Sequence, residues 1–553
     1  MSISRRRFLA KTSLGAAGVA LALPVTSSLF ADERPLDIGR ETQLFIDDFL
    51  VRQQAGLKRT LHQPKKRGLI KEADGRDWER GAVYVGKIVC QDNAGKFHMT
   101  YRYYWWDAEL QKLPRIGIDK AHWFHEVVGY ATSDDGIHWT KPILNRAEAP
   151  TKLVPSKTFP FETPEGLSKQ NNFGYPIFFA YDLHANGNMS DPDKRFLLQV
   201  VENWIGDDPF AKPVDPQLYF APDWPDVMQP GWKEKLTPVS SGGLSPRGIG
   251  FPMISGYDHQ AREWFMTCQD VIGNWVKRGG RDIARYSTPD LVSWNGPQLV
   301  VPVAADESRD PKDWVEYMDL WGQRVGGQQT GAWLGQLWIF HADRSSPEYQ
   351  TPHIKDVWRK GTTEVRLVLS RDAGRTWQRV CDRDVWLPHH EADDGYDRLP
   401  CCGCPIRVGD ELRYYYACWN GDHLAFYRDG TPYYPNRMRN SSTAWATLRL
   451  DGHVSLDAGN PPGHLQTKLL RWGRDSLSVN AALSRGGLRV EVQEESGEPV
   501  AGFAAADCVP ITGDGVAQPV RWKNDRDTAA LAGRAVRLRF ELTDGELFSF
   551  RFA

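Results

Sequence analysis

"SRDAGRTW" (residues 370–377) is the stretch on which the reading of this chain turns. It sets a serine, an aspartate, a glycine and a tryptophan in a fixed order, and the order returns twice. "SDDGIHW" (residues 133–139) has it with one residue fewer, and "STPDLVSW" (residues 287–294) has it without the glycine. The residue types suit a turn. Short Ser and Asp side chains bond turn backbone groups, glycine takes the positive φ that other residues avoid, and the tryptophan packs back between sheets. A turn that recurs along a chain counts structural units. It is expected on the rim of each unit, so the chemistry is to be sought at the other end of each repeat.

The segments around these turns alternate with a period of two. In "KFHMTYRYYWW", Phe97, Met99, Tyr101 and Tyr103 share one face and His98, Thr100, Arg102 and Tyr104 the other, which predicts a strand. "RFLLQVVEN" from Arg195, "EWFMTCQD" from Glu263, "QLWIFHADR" from Gln336 and "ELRYYYACW" from Glu411 read alike. These strands fall into five units at about 80–150, 170–240, 245–302, 317–382 and 400–455. Five small antiparallel sheets, most closing in a stereotyped turn, predict an all-β chain with a five-bladed β-propeller over residues 40–455. Radial packing also leaves only short strand edges exposed. A string of independent β-sandwiches is the alternative, but it leaves the recurrence of the turn without a cause. "LFIDDFLV", from Leu44, is apolar enough to lend a strand to the last blade and close the ring. Beyond residue 455 the segments "LSVNAAL", "LRVEVQEE", "AVRLRFEL" and "LFSFRFA" alternate cleanly, so residues 456–553 are expected to form a C-terminal β-sandwich.

Composition agrees with short strands and turns: 22 Trp, 19 Tyr and 23 Phe accompany 50 Gly and 36 Pro, and long apolar helical stripes are few. A net charge of -2 argues against a dedicated nucleic-acid binder. At the N-terminus, Arg5, Arg6 and Arg7 precede an apolar run too short to span a bilayer. This pattern resembles the bacterial twin-arginine export motif. Residues 1–31 are therefore expected to be a signal peptide cleaved near Ala31, leaving a periplasmic or secreted protein with no membrane attachment. Cys401, Cys402, Cys404 and Cys418 lack the paired C-x-x-C spacing of structural zinc, so free thiols or a single disulfide are expected instead.

"SRDAGRTW" matches the Asp-box, Ser-x-Asp-x-Gly-x-Thr-Trp, of sialidases and other propeller proteins. A five-unit propeller followed by a β-sandwich is similar to glycoside hydrolases of families 32 and 43. The chain also resembles uncharacterised secreted bacterial glycosyl hydrolase-like proteins that carry "LFIDDFLV" near the start and "GFAAADCVPITGD" in the sandwich. The resemblance spans about residues 40–553 in architecture and implies a carbohydrate substrate. Of the family 32 motifs only "RDP", at Arg309, is present, and the arginine triad and Tyr nucleophile of sialidases have no counterpart assignable by spacing. The resemblance thus supports the fold more than any one reaction.

Hydrolysis of a glycosidic bond needs one protonated carboxyl to assist departure and one ionised carboxyl to attack or to activate water. Acids before or early in the first strand of a unit qualify: Asp47 and Asp48 in "FIDDF", Asp77 and Glu79 in "DWERG", Glu316 and Asp319 in "WVEYMDLWG", and Asp394 and Asp397 in "EADDGYDRLP". The catalytic candidates are Glu316, Asp319, Asp48, Glu79 and Asp397. Glu316 and Asp319 stand out because apolar residues surround them, and an acid there is costly unless used or paired. Trp78, Trp314, Tyr317, Trp321 and Tyr396 are candidate platforms for sugar faces. Arg102 and Arg247 are candidates for binding the carboxylate or sulfate of an acidic sugar. Each acid also has a plainer reading, as a solvated loop charge or, for Asp48, a turn cap. "HHEADDGYD", from His389, offers oxygens to a structural cation such as calcium, although its spacing follows no known loop. No other metal or cofactor is expected. Two functions follow: an exported glycoside hydrolase acting on a polysaccharide or oligosaccharide, or a propeller that binds glycan or protein without catalysis.

Overall fold

The computed structural model describes residues 34–72, 83–106, 124–144, 177–184, 191–201, 216–228, 235–240, 250–269, 281–326, 331–345, 361–389, 401–402, 404–419, 427–428, 431–432, 441–473 and 476–552. The predicted signal segment lies outside these residues, as do Asp77, Trp78, Glu79, Arg247, Asp394, Tyr396 and Asp397. Among the described residues no helix is long and apolar enough to cross a membrane.

Five antiparallel sheets follow one another along the chain as the blades of a propeller. The first blade holds Val83–Gln91, Phe97–Trp106 and Phe124–Ser133. The second holds Ile177–Asp182, Phe196–Val201, Pro216–Ala221 and Thr237–Ser240. Gly250–Asp258, Glu263–Gln269, Ile283–Thr288 and Asn295–Val301 form the third. The fourth is built on Asp313–Val325, Ala332–Ala342 and Gly361–Ser370. In the fifth, Cys401–Cys402 and Ile406–Val408 pair with Glu411–Trp419, which pairs with Ser441–Arg449. Lys65–Leu69 adds the outer strand of that last blade and so ties the two ends of the ring. Blade faces bury apolar side chains against each other: Phe97, Met99 and Tyr101 of the first blade meet Tyr415 of the fifth. Ile283 of the third meets Val315, Tyr317 and Leu320 of the fourth.

The segment "LFIDDFLV" does not close the ring as expected. Gln43–Leu44 pairs instead with Gly545–Phe552, and Phe45 is buried between Phe540 and Phe550. The closing strand reads "KKRGL". An edge strand facing solvent on one side carries charges that discourage further pairing, so it lacks the apolar alternation that marks inner strands.

The C-terminal β-sandwich draws on both ends of the chain. Its eleven-stranded sheet includes Leu36–Asp37, Gln43–Leu44, Val51–Ala55 and Lys58–Leu61 beside the strands after residue 453. Leu477–Gln493 is its spine, pairing with Ile511–Pro519, Ala535–Thr543 and Gly545–Phe552. Leu488, Val490 and Val492 point into its core, as their alternation predicts.

The repeated turn has one construction at two sites and a partial copy at a third. In the fourth blade, the Gly374 amide donates to Ser370 Oγ at 2.8 Å, the Thr376 amide to Asp372 Oδ1 at 2.8 Å, and Trp377 Nε1 to the Gly374 carbonyl at 3.1 Å. Ser133, Asp135, Gly136 and Trp139 repeat it in the first blade. In the third blade Thr288 takes the serine's place, bonding Asp290 at 2.8 Å, and Leu291 holds φ 61° where Gly136 holds 72°. The motif there is present without its glycine. Each of these turns leads from the third strand of its blade to the outer edge. Two of them also dock on the preceding blade: Arg375 reaches Asp258 and Glu263 of the third, while the carbonyls of Gly136 and Asp135 accept from Tyr415 and Arg413 of the fifth.

Candidate active site

The fourth blade's innermost strand, Asp313–Val325, carries Glu316 and Asp319. In a regular strand, residues three apart point to opposite faces. Here a bulge between Tyr317 and Asp319 inserts one extra residue, so that Asp319 stands opposite Trp338 and Glu316 opposite Phe340. Trp338 and Phe340 belong to one buried cluster with Met318 and Trp321, which also takes in Tyr414 and Tyr416 of the fifth blade. Tyr317 and Leu320 lie on the other side, against the third blade. The bulge therefore turns both carboxyl groups to one face.

The third blade holds this geometry in place. A bulge leaves carbonyls off the regular ladder, and buried carbonyls need donors. Gln269 Nε2 donates to the Met318 carbonyl at 3.0 Å, and Thr267 Oγ1 donates to the Leu320 carbonyl at 2.6 Å. Asp319 Oδ1 accepts from the Leu320 amide at 2.9 Å.

Glu316 is 0 % and Asp319 1 % exposed. Arg344, just beyond Ala332–Ala342, places Nη2 2.5 Å from Glu316 Oε1, and Arg281, which precedes Ile283–Thr288, places Nε 3.4 Å from Oε2. Two cations thus offset the desolvation of one carboxylate. Aromatic rings complete the surroundings. Trp321 stacks on Trp338 at 6.1 Å and 10°, and Trp321 Nε1 has no acceptor among the described residues. Burial, with Cys404 and Asp319 nearby, holds the hydroxyl of Tyr181, from the innermost strand of the second blade, far above the usual tyrosine range. Its oxygen accepts from the Ile254 amide at 3.0 Å.

The other candidates are dispersed. Asp48 is exposed in a turn of the sandwich and pairs with Arg59 at 2.7 Å, while its neighbour Asp47 pairs with Arg371 of the repeated turn at 2.7 Å. Tyr317 faces away from Glu316, and its hydroxyl donates to Glu307 at 3.2 Å. Burial and the charge of Glu307 raise its pKa. Trp314 lies between Arg344, at 4.1 Å, and Arg309, at 5.2 Å, so its ring faces are taken up by guanidinium groups. The "RDP" tripeptide forms part of an exposed hairpin, in which Arg309–Asp310 pairs with the start of the fourth-blade strand. The backbone of Arg102 pairs with Tyr84 and Val128 in the first blade, and its side chain lies outside the described residues. Arg281, Arg344, Trp338 and Gln269 escaped the sequence reading. Each reaches the site from a different strand end, and no local pattern marks that. A small crevice lies elsewhere, between Gln43, Ile46, Val325, Ala332, Leu369 and Arg371, and it contains none of the candidate acids.

No family model matches the chain, and no curated protein sequence matches it. Solved structures do. One described as a glycoside hydrolase has 11 % identity and a TM-score of 0.38, covering 70 % of this chain and 92 % of its own. A β-1,2-mannobiose phosphorylase from Listeria innocua has 13 % identity and a TM-score of 0.37, covering 69 % and 94 %. A β-fructofuranosidase from Schwanniomyces occidentalis has 10 % identity and a TM-score of 0.34, covering 88 % and 97 %.

Proposed function

We propose that this protein is an exported glycoside hydrolase that cleaves a glycosidic bond in a polysaccharide or oligosaccharide with carboxyl groups of the fourth blade. One observation carries the reading: a bulge, held by Gln269 and Thr267, brings Glu316 and Asp319 to the same face of an innermost strand, beside the Trp321–Trp338 stack. Burying two acids on one strand is costly unless they are paired or used. Glu316, matched by Arg281 and Arg344, suits the ionised role, and Asp319 is then the proton donor. Trp321 supplies an apolar ring for a sugar face and an indole N–H for a hydroxyl. Export rests on the residues of the N-terminal segment, Arg5 to Arg7 and the apolar run after them.

A second reading, a propeller that binds glycan without cleaving it, is favoured by the closure of both carboxyls to solvent. Incubating the purified protein with a panel of oligosaccharides and polysaccharides separates the two. Hydrolysis is expected, with Glu316→Gln and Asp319→Asn each at least about 100-fold slower while keeping the far-UV spectrum of the parent. Glycan binding without released sugar establishes the second reading. Parental rates in both variants overturn the assignment of these acids.

A further inference from the structure

Away from the fourth blade, His62, Asp457 and Glu546 converge where Lys58–Leu61, Val454–Ala458 and Gly545–Phe552 lie side by side. We infer that these three residues bind a divalent transition-metal cation of the zinc class. One ligand atom from each lies within 4.8 Å of the other two, and all three side chains are half-buried.

Strand register puts them on one face. Asp457 stands directly opposite Glu546 on one side and Lys58 on the other. Ser455 stands opposite Thr60, and His62 follows two residues later, its amide donating to the His453 carbonyl at 2.9 Å. Tetrahedral zinc, with bonds of about 2.0–2.2 Å, holds its ligands about 3.3–3.6 Å apart, so small rotations of these side chains close the set. Two further features point to a cation. Like charges directly opposite on a sheet repel, yet among the described residues no lysine or arginine forms an ion pair with Asp457 or Glu546. The imidazole is also already oriented: Ser455 Oγ lies 2.7 Å from His62 Nε2 and gives its own proton to Asp457, while the Phe548 ring packs on His62 at 5.1 Å.

The donor set chooses among ions. One imidazole nitrogen with two carboxylate oxygens suits zinc, manganese or ferrous iron. It offers too few oxygens for calcium and no sulfur for cuprous copper. The cation would join the N-terminal strand to the C-terminal hairpin, a cross-link between the two ends of the chain.

The test uses the full-length protein stripped with EDTA and titrated calorimetrically with zinc, manganese and calcium chlorides, alongside thermal melting. One zinc per chain is expected, with manganese weaker, calcium weakest, and a rise in melting temperature on adding zinc. His62→Ala and the Asp457→Asn/Glu546→Gln pair should each weaken zinc binding at least about tenfold. Lys58→Met, which removes a positive charge on the strand opposite Asp457, should tighten it. Absence of zinc uptake by the parent overturns the inference. So does unchanged affinity in variants whose near-UV spectra match the parent.

Discussion

Glu316 and His453 are both closed to solvent, but their surroundings treat charge in opposite ways. Glu316 is met by two guanidiniums, from Arg281 and Arg344. Among the described residues, the His453 imidazole meets the Tyr414 hydroxyl at 2.6 Å and the rings of Trp386 and Tyr414, and burial pushes its pKa down to about 3. The unfolded histidine titrates near 6.5, so between about pH 6.5 and 3 the unfolded chain binds a proton that the native chain does not. That contribution to stability is complete above pH 6.5 and falls on acidification by up to roughly 1.4 kcal/mol per pH unit. Urea midpoints measured from pH 7 to pH 4.5 should fall less steeply in His453→Gln than in the parent, by about one proton. Equal slopes would mean that His453 is not the group that titrates.

Among the elements, the bulged strand of the fourth blade has the largest consequence. Its parity change is what sets Glu316 and Asp319 on one face, and third-blade side chains maintain it. Thr267→Val keeps the shape but leaves the buried Leu320 carbonyl without its side-chain donor and removes the hydrogen bond between Thr267 and Ser255. The expected cost is about 1–3 kcal/mol in chemical denaturation, with a fall in kcat larger than any change in KM. A loss of stability with kcat untouched would separate the bulge from the chemistry. The bulge is not legible in "WVEYMDLWG", because one extra apolar residue in an already apolar run does not disturb any pattern visible in sequence. The repeated turn is the opposite case. Its aspartate, serine and tryptophan bonds are all local, and even Leu291, in the left-handed conformation, follows the template of Gly136.

At the scale of the whole molecule, both closures depend on residues far apart in the chain. Lys65–Leu69 closes the propeller against Ser441–Arg449, and residues before 62 complete the sandwich. Residues 456–553 alone would leave Phe540 and Phe550 without Phe45, and Gly463–Thr467 without Val51–Ala55. That fragment is expected to lack a cooperative thermal transition, and to regain one when residues 34–61 are fused to it. A cooperative melt of the fragment by itself would show that the N-terminal strands are dispensable.

Sequence alone determined the all-β class, the count of blades, the apolar faces of the sandwich strands and the role of "SRDAGRTW" as a turn. These follow from pleat, turn chemistry and burial within windows of a few residues, where backbone geometry dictates the pattern. It also singled out Glu316 and Asp319, since acids among tryptophans stand out. Tertiary structure decided which acids share a face, which arginines meet Glu316, which charged strand closes the ring, and that His62 lies beside Asp457 and Glu546. Those meetings join residues from several to hundreds of positions apart. They are fixed by how sheets pack and by a one-residue shift in register, and neither leaves a trace in local periodicity.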